Sequence, residues 1–347
     1  MGDLNLVTIK DISSATGFST TTVSRALNGY LDVNENTKLK IQKAAEELGY
    51  TPNMLARSLV MKNSKTVGFL VTDLRRESVK DNFLFETLCG SMDGLHNLDY
   101  EIVVLTTTTM KQKNKTYQQL CNERNLDGVI IQGLKVDDPY LQEAQKSDKP
   151  CVLIDIPADS ENVGYVSTNQ QESAKQAVKY LIRVGHKQIG FINGHSFAHV
   201  SRERLEGYRQ ALHEADIPFN TDFVLNGNFD EETAKQCAIS LLLEHAEITA
   251  IFCASDVMAL GVYKACRDLG IAVPEKLSII GFDDILLSQY VSPAMTTVSQ
   301  DAYKMGHEAA AMLVKMVENK ECDHRVILEN KLVLRDSTAP PQLNTTN

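Results

Sequence analysis

From Thr66 onward the chain alternates between short, continuously apolar runs and longer segments whose apolar residues recur three and four apart. The runs VGFLVT, EIVVLT, GVIIQG, CVLID, YVST, IGFING, AIFCAS and LSIIGFDD predict eight strands. Residues 171–184, 231–245 and 256–269, among the segments between them, carry helical spacing. A strand that is apolar throughout, with no alternation, belongs to a parallel sheet covered by helices on both faces. Right-handed β-α-β units join such strands. Two cycles of the pattern predict two similar doubly wound subdomains with a cleft between them.

Before Thr66 the texture is different. Thr8 and Asp11 have the T-x-x-D spacing of a capping box, Ile9, Ile12 and Ala15 follow on one face, and Gly17 stops this first helix. Ser19 is the expected N-cap of a second helix with Val23, Ala26 and Leu27 inward, ended by Asn28 and Gly29. Asn34 caps a third, with Ile41, Ala44, Ala45 and Leu48 inward and Gly49 as its stop. Two short helices across a glycine turn, buttressed by a third, form a helix-turn-helix pattern. The following YTPNMLARSLVMKNSK offers only about two helical turns after Pro52, too few to be stable alone in water. It reads as a hinge that becomes helical when something holds it.

Composition narrows the class. Apolar residues make up 43% and charged residues 23% of the 347, which describes a globular chain and not a disordered one. No apolar run approaches the roughly 18 residues that cross a bilayer, and the N-terminus lacks the basic start and apolar block of a signal peptide. The expected location is the cytoplasm. The seven cysteines are scattered, with no C-x-x-C pair, and read as reduced thiols. No G-x-S-x-G, P-loop or metal spacing occurs, so neither catalysis nor a cofactor is expected. The formal charge of −10 is unevenly distributed: residues 1–62 hold seven basic and six acidic residues, leaving −11 on the remainder. A whole-chain acidity therefore says little about what the head touches.

In parallel sheets ligands bind at the carboxyl ends of strands. That rule brings Asp73, Asp155, Asn193, Ser255, Asp256, Asp283 and Asp284 toward one crevice. For Asp256 and Asp284 an ordinary N-cap role weighs equally.

The head, TIKDISSATGFSTTTVSRALNG through LGYTPNMLARSL, resembles the DNA-binding head of the lactose/purine repressor (LacI/GalR) family. VGHKQIGFING, the stretch from Arg204 to Tyr208, ASDVMALG and LSIIGFDD extend the resemblance over nearly the whole chain. It implies an all-α helix-turn-helix head with a hinge helix, followed by an α/β core of two doubly wound parallel-sheet subdomains like a type I periplasmic binding protein. The expected divisions are 1–51 for the head, 52–64 for the hinge, and 65–339 for the effector-binding and dimerisation core. The core divides into 65–166 plus 298–329 and 167–297 plus 330–339, and 340–347 is a disordered tail.

By the same resemblance the second helix enters the major groove, with Thr20, Thr21 and Arg25 facing bases. Arginine can pair both guanine O6 and N7. Ser19, Thr22, Ser24 and Asn28 fit phosphate contacts, and Thr8 and Asn53 join the DNA-facing set. Ala56, Arg57 and Leu59 match the family's minor-groove hinge, with Leu59 as the wedge that opens a base step. Phe85 is expected to line the cleft as an aromatic platform, with Arg204 and Asp283 as polar clamps and Asp73, Asp155, Phe229 and Asp256 around them. Carboxylates, an arginine and an aromatic face suit sugar hydroxyls and rings.

The resemblance thus implies a repressor of carbohydrate-metabolism genes, a homodimer on a pseudo-palindromic double-stranded operator, released or engaged by a sugar or sugar derivative. Two departures weaken the transfer of ligand identity: Asp155 is followed by Ile156 and Pro157 where many sugar-responsive members have arginine, and Thr168 precedes Asn169 where Asp is frequent. Arg75 and Arg76 would favour an acidic sugar, although a solvated loop is the plainer reading. A regulator answering to a phosphocarrier protein is the alternative. Tyr303 matches that branch, but Lys304 and Ala311 stand where its charged contacts would be. A free solute-binding protein, the other alternative, has no use for residues 1–62.

Overall fold

The computed structural model describes residues 7–28, 30, 32–50, 64–72, 74, 82–158 and 160–342. The chain forms two compact units, 1–65 and 66–347. The first contains α1 (Ile9–Thr16), α2 (Thr20–Leu27) and α3 (Glu35–Glu47). Each start is set by the side chain the sequence offers. The Asp11 carboxylate accepts from the Thr8 N–H and hydroxyl, both at 2.8 Å, which holds its carboxyl below the usual range. Ser19 Oγ accepts from the Thr22 N–H at 3.1 Å, and Asn34 Oδ1 from the Asn36 N–H at 2.9 Å. Gly17 ends α1 at φ +74°, a conformation that costs glycine little, so three residues suffice to turn into α2. Ile12, Val23, Ala26, Val33, Ile41 and Ala45 close one small core.

The second unit holds two six-stranded sheets. Its strands are β1 (Thr66–Thr72), β2 (Glu101–Thr107), β3 (Gly128–Gln132), β4 (Cys151–Ile154), β5 (Val163–Thr168), β6 (Ile189–Asn193), β7 (Val224–Asn226), β8 (Ala250–Cys253), β9 (Ser278–Asp283), β10 (Thr296–Ser299), β11 (Arg325–Leu328) and β12 (Lys331–Val333). Their orders are β11-β5-β4-β3-β1-β2 and β12-β10-β9-β8-β6-β7. All pairs are parallel except β10 with β12. The helices are α4 (Asn82–His96), α5 (Thr109–Asn114), α6 (Tyr117–Glu123), α7 (Pro139–Ala144), α8 (Gln170–Arg183), α9 (His199–Glu214), α10 (Glu231–Glu244), α11 (Asp256–Leu269) and α12 (Ala302–Val317). The eight apolar runs are β1–β6, β8 and β9, buried almost throughout apart from β2, which edges its sheet.

The chain passes between the sheets three times, at residues 168–170, 299–302 and 328–331. The expected boundaries after residues 166 and 297 fall about two residues before the first two crossings, and that after residue 329 falls inside the third. β5 runs on to Thr168, and β10 pairs with β9 from Thr296 to Ser299, so the second crossing waits until Gln300. After it, α12 packs on the first sheet and against α4. Close approach there requires glycine: a Cβ on Gly306 would overlap the Thr87 carbonyl, and one on Gly90 the Tyr303 carbonyl.

Candidate functional site

The outer face of α2 is short and polar. Thr20 and Thr21 are exposed, while Val23 and Ala26 point into the head core. Thr22 is half-buried, and its hydroxyl lies 2.8 Å from Ser19 Oγ, which already caps the helix. Asn28 Nδ2 approaches Ser24 Oγ at 3.4 Å. Arg25 meets Asp32 through two N–H groups, Nε at 3.3 Å and Nη2 at 2.5 Å, and its guanidinium carbon sits 4.6 Å from the Tyr30 ring centroid. Thr8 is exposed at the start of α1. The structure thus gathers Ser19, Thr20, Thr21, Thr22, Ser24, Arg25 and Asn28 on one helix. Asn53, Ala56, Arg57, Leu59 and Asp73 lie outside the described residues.

In the second unit, a cavity of about 120 Å³ opens between the two sheets' carboxyl ends, lined by Phe83, Asp155, Val200, Arg204, Phe229, Ser255, Val257, Asp283 and Gln300. A neighbouring space of about 250 Å³ shares Phe83, Asp283 and Gln300. Asp155, Arg204, Phe229 and Asp283 are therefore brought together. Three of these four have positive φ: Asp155 at +63°, Phe229 at +57° and Asp283 at +115°. Such conformations cost energy outside glycine and gather where a chain must aim side chains at one place. A larger surface groove, about 660 Å³, runs along α8 and β12. It lacks the buried arginine and flanking carboxylates that mark the smaller cavity.

Those groups form one network. Arg204, 3% exposed, donates from Nε to Gln170 Oε1 at 2.9 Å and from Nη1 to the Ala254 carbonyl, and its guanidinium carbon lies 3.7 Å from the Phe282 ring centroid. Its Nη2 is 3.9 Å from Asp283 Oδ1, which also accepts from Gln300 Nε2 at 2.8 Å. Asp155 Oδ1 accepts from Ser167 Oγ at 2.7 Å and Gln170 Nε2 at 3.2 Å. Burial pushes the Asp155 carboxyl up, against those bonds and the Arg204 charge. Gln300 Oε1 accepts from Thr168 Oγ1 at 2.7 Å and Gln170 Nε2 at 2.9 Å, and Asn330 Nδ2 donates to Thr168 Oγ1 at 2.9 Å. Thr168, Gln170, Gln300 and Asn330 come from the three crossings, so one set of hydrogen bonds ties all three together.

Two expectations are corrected. Phe85 is 60% exposed and does not line the cavity; Phe83 does. Two residues along a helix turn through about 200°, so only one of the pair can face the cleft. Asp256 is fully buried behind the cavity wall. Its Oδ2 accepts from the Ile285 N–H at 2.9 Å and its Oδ1 from Thr297 Oγ1 at 2.6 Å. Burial lifts its carboxyl to about 7, with Asp284 adding to the rise and Thr297, Ile285 and Arg335 opposing it. Its neighbours Ser255 and Val257 line the cavity instead. Sequence reasoning missed Gln170 and Gln300. The available signal was that both stand among polar residues directly after a strand.

Residues 8–53 match the profile of bacterial regulatory proteins of the lacI family, and residues 178–338 that of a periplasmic binding protein-like domain. Over 334 residues the chain is 33% identical to the HTH-type transcriptional repressor PurR of Vibrio vulnificus (strain CMCP6), a match spanning 96% of this chain and 98% of that relative. The chain belongs to the lacI family. As a lacI-family protein it is a DNA-binding transcriptional repressor with an effector-binding core, and not an enzyme. A second relative, the probable HTH-type transcriptional repressor ExuR of Bacillus subtilis (strain 168), is 34% identical over 334 residues, again 96% of this chain and 98% of the relative. Among solved structures, the transcriptional regulator CelR in complex with cellobiose superposes with a TM-score of 0.74 at 28% identity, covering 95% of this chain and 99% of that one. The lacI-family head and core are the two units seen here.

Proposed function

We propose that this repressor binds a pseudo-palindromic operator as a homodimer and is controlled by a sugar or sugar derivative in the cavity between the core subdomains, governing carbohydrate-metabolism genes in the cytoplasm. The observation that carries the reading is Arg204. It lines the cavity and is bonded to Gln170, one of the residues knotting the three crossings. A ligand that engages Arg204 better in one subdomain arrangement shifts the population toward that arrangement. Half-buried carboxylates, an arginine and two phenylalanine rings, Phe83 and Phe229, supply acceptors, donors and apolar faces of the kind a sugar uses. CelR, solved with cellobiose, supports the same ligand class. In the head, Thr20, Thr21 and Arg25 face base edges, while Thr8, Ser19, Thr22, Ser24 and Asn28 set register on phosphates.

Exposed apolar side chains support the dimer. Leu286, Leu287 and Tyr290 follow β9, with Tyr290 76% exposed, and Phe85 and Met92 share an outer face of α4. Such surface is more stable covered by a second copy. Sedimentation should give a dimer.

The test is calorimetry of sugars, sugar acids and sugar phosphates against the full-length protein and its Arg204→Ala variant. A sugar that binds the wild type and loses at least about tenfold in affinity on Arg204→Ala upholds the reading. Binding unaffected by the substitution would refute the cavity, and a panel without a ligand would favour the phosphocarrier alternative. Tyr303, whose hydroxyl donates to Asp93 at 2.8 Å, is 40% exposed and available for that test.

A further inference from the structure

Arg25 does not hang free from α2. Asp32, seven residues on and beyond the end of the helix, takes Nε–H with one carboxylate oxygen and an Nη2 hydrogen with the other. Tyr30 lies between them in sequence and packs its ring on the guanidinium, 4.6 Å from centroid to carbon. The two contacts restrain the guanidinium in different ways: the carboxylate binds its edge and the ring lies against its carbon. A guanidinium carries five N–H donors in a rigid fork. Asp32 occupies the side edge, Nε and one Nη2 hydrogen. The end edge, formed by Nη1 and the second Nη2 hydrogen, retains two parallel donors. That is the edge that matches two neighbouring acceptors such as guanine O6 and N7.

We infer that Asp32 is a positioning residue for base reading: with Tyr30 it holds Arg25 so that only the end of its fork meets DNA, and thereby sets the preference for guanine. The inference rests on the assignment of Arg25 to a base edge. Two effects act together. An arginine already fixed in one rotamer loses less freedom when it pairs with a base, so the gain goes to the base that fits the fork. Asp32 is also 57% exposed and repels nearby phosphate oxygens. Arg25 is the cation that would otherwise collapse onto the backbone, and the adjacent carboxylate makes that alternative less favourable than a guanine in register. Asp32 therefore lowers sequence-independent affinity while raising discrimination. This is consistent with residues 1–62, in which basic residues exceed acidic ones by only one.

The test is selection from a duplex library of about 20 randomised base pairs, enough for two half-sites one helical turn apart, with full-length wild type, Arg25→Ala, Asp32→Ala and Asp32→Glu. Arg25→Ala identifies the symmetry-related pair of positions that Arg25 reads. At that pair, Asp32→Ala should reduce guanine preference by about 2- to 12-fold, the range expected for freeing one long side chain. The rest of the selected motif should stay unchanged, and affinity for random duplex should rise. Asp32→Glu, which keeps the carboxylate, should recover part of the preference. Neither residue is buried, so a merely structural role would weaken all positions alike, and that result would overturn the inference. So would an Asp32→Ala protein that binds its motif more tightly with guanine preference intact, since Asp32 would then be a competitor to be displaced. If Arg25→Ala selects the wild-type motif, the base-edge assignment of Arg25 fails first and takes this inference with it.

Discussion

Asp256→Asn should change how stability depends on pH. The wild-type carboxylate is wholly buried, accepts hydrogen bonds from Thr297 Oγ1 and the Ile285 N–H, and has its carboxyl lifted from 3.8 to about 7. Between those values the folded chain holds a proton that the unfolded chain has lost, so stability falls as pH rises through the window and the loss is complete above about 7. A rise of about three units, at 1.36 kcal/mol each, bounds the full cost at about 4 kcal/mol. Only the last part lies where the protein is well away from its isoelectric point near 5.4. From pH 6 to pH 8.5 the accumulated cost is about 1 kcal/mol. Asparagine has the same shape and does not titrate. Its Oδ1 can accept from Ile285 while Nδ2 donates to the Thr297 hydroxyl, which reverses its role.

The assay is urea unfolding of both full-length proteins from pH 6 to pH 8.5. Far-UV circular dichroism is the probe, since the chain has no tryptophan. Groups common to both cancel in the difference. The wild type should lose about 1 kcal/mol relative to the variant across the range. A difference that stays flat, or that moves in the wild type's favour with rising pH, would refute the argument from burial.

Two further outcomes follow from packing and capping. Gly306→Ala places a methyl group against the Thr87 carbonyl where α12 crosses α4, and should destabilise the core by about 1–3 kcal/mol, read as a lowered melting temperature; an unchanged one would mean that the helices separate freely. Ser19→Ala removes the oxygen that caps α2, so amide exchange in that helix should accelerate about fivefold, the equivalent of about 1 kcal/mol, while exchange in α3 changes less; equal acceleration in both would contradict a local cap.

Much of this is legible in the sequence. Thr8 with Asp11, Gly17, Ser19 and Asn34 act within four residues of themselves, and such local chemistry fixes where the head helices begin and end. The missed strands β7, β10, β11 and β12 span three or four residues each and, unlike the equally short β4 and β8, are not continuously apolar. They exist because a neighbouring strand supplies their hydrogen bonds. Phe83 and Phe85 are chemically equal in the sequence, and only the rotation of α4 against its sheet chooses between them. Asp256 was placed near the crevice by the strand-end rule, and it is near. Which way its carboxylate faces was decided by Thr297 and Ile285, which arrive from other strands and loops.

The sequence by itself determined the eight apolar strands, the head helices with their caps, the division into head and core, and the family. These depend on neighbours along the chain or on patterns summed over many positions. The tertiary structure alone decided the crossing points, the Arg204–Gln170–Gln300 network and the Arg25–Asp32 pair. Arg204 is 34 residues from Gln170, and Gln170 is 130 residues from Gln300. No local preference specifies a contact over such distances. It forms because burial of the apolar strands brings three separate crossings into one largely buried space, where each polar group must find another.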